Sequence, residues 1–90
     1  MTEEALPKPT ADVVFKRVEE EGVLVHLRTN RIFSLTDTGA RFWELLAAGN
    51  DRAAIEQQLL EEYDVSASAL RAEIDPLVRE LAAEDLVAWD

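Results

Sequence analysis

The ninety-residue chain has no cysteine, one histidine and three glycines. Without cysteine there are no disulfides, no thiolate zinc ligands and no thiol nucleophile. One histidine leaves little but carboxylates to hold a metal, and neither EF-hand spacing nor an HExxH pair is present. Gly22, Gly39 and Gly49 stand far apart, so they cannot form a glycine-rich phosphate loop. No cofactor is expected. No apolar run approaches the roughly 18 residues of a membrane span, and "MTEEALPKPTA" has acids where a signal peptide has bases. The expectation is a cytoplasmic protein with no membrane partner. Bases are scarce as well, nine against nineteen acids, for a formal net charge of −10. Such a charge repels phosphate backbones and anionic bilayers over a Debye length of about 8–10 Å, which argues against nucleic acid. Acids spread through helices also keep a small domain soluble.

What is present describes one small domain. Apolar residues make up 48% of the chain and charged residues 31%, the balance of a soluble globular protein with a thin core. Residues 1 to 11, with Pro7 and Pro9 and no periodicity, read as a flexible tail, and the domain as residues 12 to 90. "DVVFKRVEE" and "GVLVHLR" alternate and are rich in β-branched residues, so they read as two antiparallel strands with Gly22 at the turn. A two-residue turn at Thr29 and Asn30 leads to a third strand, Arg31 to Leu35. Thr36, Asp37 or Thr38 caps a first helix that Gly49 ends, and Asp51 caps a second, "RAAIEQQLLEEY". Ser66 or Ser68 opens a third and longest helix with an apolar stripe of Leu70, Ile74, Leu77, Val78 and Leu81. Pro76 lies inside it, which predicts a kink or break near Glu73 to Asp75, or a new helix capped by Asp75. Leu86, Val87 and Trp89 return the chain to the core. Three strands followed by three helices make an α+β domain.

Little in this pattern suggests catalysis. His26 sits in mid-strand with no serine or carboxylate placed to use it, and reads as a structural residue. The acids at 19 to 21 and 61 to 62 read as solvated turn and helix surface. A winged helix that reads DNA needs basic side chains on its recognition helix. The third helix offers Arg71 and Arg79 among Glu73, Asp75, Glu80 and Glu84. A three-stranded meander does leave its third strand as an edge, which is the equipment for adding a peptide strand.

The order of motifs is more specific than any one of them. "VLVHLRTNRIFSLTDTGARFWELLAAG" runs from an apolar strand at Val23 to Leu27 through a turn at Thr29 to Arg31. A short strand from Ile32 to Leu35 follows, then Thr38 with Gly39, Trp43 and Gly49. With "DRAAIEQQLLEEYDVSA" and "IDPLVRELAAEDLV" behind it, this order resembles the PqqD-like family across residues 12 to 88. These are the leader-recognition domains of ribosomally made peptide natural products. Thr36 stands where that family usually has Asn, and Asp85 where a helix-ending Gly is usual. The short free-standing form is most similar to the leader-binding proteins of lasso-peptide pathways.

The resemblance implies a winged-helix-like fold and a non-catalytic adaptor. It implies that a precursor leader peptide binds antiparallel to the third strand, in the groove between that strand and the third helix. The partners it implies are a leader peptidase and a macrolactam synthetase. The alternatives are a PqqD-like peptide chaperone for a radical enzyme and, from another class, a winged-helix DNA-binding protein. Carried onto this sequence, Arg31, Ile32, Phe33 and Ser34 supply backbone pairing, with Leu35 at the end of the site. Arg71, Ile74, Asp75 and Val78 form the helical wall. Phe42, Trp43, Leu45 and Leu59 belong to the core.

Overall fold

The computed structural model describes residues 6–89, so Met1 to Ala5 of the expected tail and Asp90 lie outside the described residues. The elements run β1 (Lys8–Pro9), β2 (Val13–Val18), β3 (Glu21–His26), β4 (Arg31–Leu35), α1 (Asp37–Ala47), α2 (Arg52–Glu62), α3 (Ala67–Ala83) and β5 (Val87–Ala88). Strands β2, β3 and β4 form an antiparallel sheet in that order, and three helices follow it. The result is the expected α+β, winged-helix-like arrangement.

The alternation along the strands decides which sheet face is covered. Leu24 and Leu35 point inward and are buried, while Ile32 and Ser34 point outward and are exposed. The inner face packs on Phe42, Trp43 and Leu46 of α1. Ile55 and Leu59 of α2 and Leu70, Ile74, Val78 and Leu81 of α3 complete the core, with Leu45 packed at its margin. His26 is also on the inner face and fully buried; its Nδ1 accepts the Arg28 backbone N–H at 3.3 Å. All three helices begin where a short polar side chain caps them. Thr36 accepts from the Gly39 N–H, Asp51 from Ala54 and Ser66 from Ala69.

Several expectations are corrected. Residues 7 to 9 are not loose tail, because Lys8 pairs with Ala88, Pro9 pairs with Val87, and Pro7 is fully buried. A prolyl ring supplies apolar surface, and a two-residue strand needs few N–H groups. Gly22 is not at the turn, which Glu19 makes with a φ of 59°. Gly22 lies inside β3, where an added Cβ would sit 2.8 Å from the Ala40 Cβ and 2.8 Å from the Phe15 ring. Its missing side chain is what lets β3 approach α1. The β3–β4 loop has four residues, 27 to 30, since His26 pairs with Arg31. Asn30 does adopt the expected positive φ, 61°. Pro76 neither breaks α3 nor lets Asp75 start a new helix, because α3 runs unbroken from Ala67 to Ala83. Packing of the stripe on both sides of Pro76 outweighs the loss of one hydrogen bond. Leu86 and Val87 are buried as expected, whereas Trp89 is 58% exposed.

Candidate functional site

Strand β4 passes into α1 through the single residue Thr36. The Thr36 hydroxyl oxygen accepts the Gly39 N–H at 3.1 Å and its carbonyl accepts the Ala40 N–H at 2.7 Å. The junction therefore has no slack, and it holds β4 at the edge of the sheet with α3 beside it.

The direction of the backbone groups on β4 follows from the loop hydrogen bonds. The Leu27 N–H donates to the Asp12 carbonyl at 2.8 Å, on the β2 side, and the His26 carbonyl accepts from Asn30 at 2.8 Å, on the β4 side. Backbone groups alternate along a strand, so Gly22, Leu24 and His26 face β4, and their register partners Leu35, Phe33 and Arg31 face back. Ile32 and Ser34 are left directing N–H and C=O to the open edge. The pairing expected of Arg31 and Phe33 is thereby spent within the sheet; the groups that can bond a fourth strand belong to Ile32 and Ser34.

A cavity of about 250 Å³ lies along this edge. Phe33, Ser34, Leu35 and Thr36 form one side, Gly39 contributes from α1, and Glu73, Pro76, Leu77 and Glu80 form the α3 side. One end is tied by Arg31, whose Nε lies 2.9 Å from Glu84 Oε1. Near the other end the Thr36 hydroxyl donates to Glu73 at 3.4 Å. A larger cavity, about 390 Å³, lies between the segment Leu6–Pro9 and the α1–α2 connection. Among the described residues the only strand it borders is β1, where Pro9 has no N–H to offer, so it lacks what a strand-adding peptide needs.

The α3 wall differs from the expected one. Arg71, Ile74, Asp75 and Val78 do not line the β4 cavity. Ile74 and Val78 are buried in the core. Asp75 is ion-paired with Arg52, and the Arg71 Nη2 lies 3.1 Å from Glu56, so both reach across to α2. At about 100° per residue, Arg71 and Asp75 fall on one border of the apolar stripe, and Glu73, Pro76 and Glu80 on the other. The sequence carried a signal for this. Arg52 and Glu56 are spaced i,i+4 on α2, Arg71 and Asp75 are spaced i,i+4 on α3, and their charges are complementary.

The electrostatics of the Arg71–Asp75 border are those of a closed structural network. Arg52 is 15% exposed and Glu56 13%. Burial opposes the Arg52 charge, but the hydrogen bonds it donates to Asp75 and Glu56 outweigh that and raise its pKa. Burial likewise opposes the Glu56 charge, and Arg71 and Arg52 outweigh it, leaving its pKa below the usual carboxylate range. A second network joins β2, α1 and α2. Arg17 contacts Glu44 and Asp37, Arg41 contacts Glu44 and Glu62, and the Tyr63 hydroxyl donates to Asp37 at 3.0 Å. Its hydrogen bonds from Arg17 hold Glu44 below the usual carboxylate range, and those from Arg41 do the same for Glu62. His26 lines neither cavity, and its Nε2 has no partner among the described residues. Among those residues no three His, Asp or Glu side chains are grouped to hold a metal, and no helix is long and apolar enough to cross a membrane.

Comparisons with known proteins place relatives beside this chain. Residues 21–87 match the family of coenzyme PQQ synthesis protein D, PqqD. Among solved structures, TbiB1 in complex with the TbiA(beta) leader peptide is 31% identical to this chain, with a TM-score of 0.81. The alignment covers 89% of this chain and 93% of that one. No match is found among curated proteins.

Proposed function

The chain belongs to the PqqD family, and from that premise we propose that it is a non-catalytic adaptor for the leader region of a ribosomally synthesised precursor peptide. The leader adds to β4 as an antiparallel strand, its backbone bonding Ile32 and Ser34, and its inward side chains enter the cavity between β4 and α3. The adaptor then presents the precursor to a leader peptidase and a macrolactam synthetase, as in lasso-peptide maturation. One observation carries this reading: the open edge of β4 borders a cavity, in a fold shared with a protein captured with a leader peptide. A rigid edge lowers the ordering cost of adding a strand, and main-chain bonds supply affinity.

Within the same family, service to a radical enzyme in cofactor biosynthesis is the second reading, favoured by the description of the matching family itself. The two differ in the enzyme that receives the peptide, and affinity pull-down with each enzyme class separates them. The first test is an amide-resolved NMR titration with the leader segment of the precursor peptide. Shifts at residues 31–36 and 73–80 are expected. Shifts absent there at saturating peptide overturn the β4 site.

A further inference from the structure

The β4–α3 cavity is chemically unbalanced. Glu73 and Glu80 line it, and no lysine or arginine does. Elsewhere carboxylates that face another element are matched: Glu44 and Asp37 by Arg17, Glu62 by Arg41, Asp75 by Arg52, Glu56 by Arg71. Even at the end of the cavity Glu84 is matched by Arg31. Among the described residues Glu73 has only the side-chain hydrogen bond from the Thr36 hydroxyl, and Glu80 has no ion pair.

A strand laid along β4 takes water away from both carboxylates, and a carboxylate desolvated without a partner is costly. The occupant that avoids this cost brings cations, which the field of a chain with net charge −10 also draws in. Glu73 and Glu80 are two helical turns apart, about 10 Å along the axis; four residues of extended peptide span about 13 Å, a difference that long lysine or arginine side chains take up. Alternate residues of an added strand face the cavity. Between the two carboxylates the wall is apolar, with Phe33, Pro76 and Leu77.

We infer that the leader segment selected by this groove is basic on its inward face: an apolar side chain over Phe33 and Leu77, with a lysine or arginine two residues to either side, reaching Glu73 and Glu80. The inference rests on the leader-binding reading. The site itself stands on the open edge and the cavity; the charge specifies which peptide it takes. Glu73 and Glu80 are then specificity residues.

The test selects displayed random linear peptides on the full-length protein and, in parallel, on the Glu73→Gln/Glu80→Gln variant. Both side chains are exposed, so an unchanged melting curve is expected of the variant. Binders to the natural protein should be enriched in Lys or Arg at positions four apart around an apolar residue, and that enrichment should vanish on the variant. The best such peptide should bind the variant about tenfold more weakly, with a flatter salt dependence. Peptides that shift the amides of residues 31–36 but show no basic enrichment, or bind the variant equally well, overturn the charge inference and leave the leader site standing. Binders that leave those amides unmoved overturn both.

Discussion

Arg71 and Asp75 lie on one border of the α3 apolar stripe, Glu73 and Glu80 on the other, and the two pairs meet opposite surroundings. The first pair closes on Arg52 and Glu56, so each carboxylate has a guanidinium. The second pair faces a cavity and an unpaired strand edge, with Thr36 as its one side-chain partner among the described residues. The lesson concerns where a small protein spends its few bases. With nine bases for nineteen acids, the arginines are concentrated at helix–helix and helix–sheet contacts. None lines the groove, which Arg31 bounds only at its end. A satisfied border holds α3 in position; an unsatisfied border is available to a ligand.

The sharpest way to break this contrast is on the β4 side. Ser34→Pro removes one outward N–H and should lower leader affinity by about a hundredfold or more, since the peptide carbonyl facing it also loses its partner. The melting temperature should barely move, because an edge strand tolerates proline where the N–H points to solvent. Titration calorimetry beside a thermal melt checks both halves, and undiminished affinity in the folded variant would exclude a leader strand bonded through Ile32 and Ser34.

Arg52→Ala acts on the opposite border and should do the reverse. It strips Asp75 of its partner and leaves the nearly buried Glu56 with Arg71 alone, which should cost about 2 kcal/mol of stability. Urea denaturation measures this, and leader affinity well below the melting temperature should be unchanged. A loss of affinity without a loss of stability would mean that the α2-facing border belongs to the binding site after all.

The smallest effect is expected at Asp85, just beyond α3, which has a φ of 60°. It occupies a left-handed position that favours glycine, so Asp85→Gly should stabilise the fold by about 0.5–1 kcal/mol. Urea denaturation reads this as well, with no change expected in affinity.

Much of this was legible in the chain itself. The period of two in β2 to β4, the period of 3.6 in the helices and the capping residues are local signals; the structure uses Asp51 as read, and takes Thr36 and Ser66 from the alternatives the chain offers. The edge position of β4 also followed, because short loops leave sequence neighbours paired. Less local features were not legible. Gly22 looked like a turn residue because glycine serves both turns and close approaches, and only the position of Ala40 tells the two apart. Pro76 looked like a break because the packing that carries α3 past it comes from distant residues.

By itself, then, the sequence determined the elements, their order, the apolar stripe of α3 and the open strand. What only the tertiary structure decided was which border of that stripe meets β4. A helical stripe has two borders that a one-dimensional pattern treats alike. The direction in which α3 crosses the sheet, set by packing against α2 and β5, assigns Arg71 and Asp75 to the interior contacts and Glu73 and Glu80 to the groove.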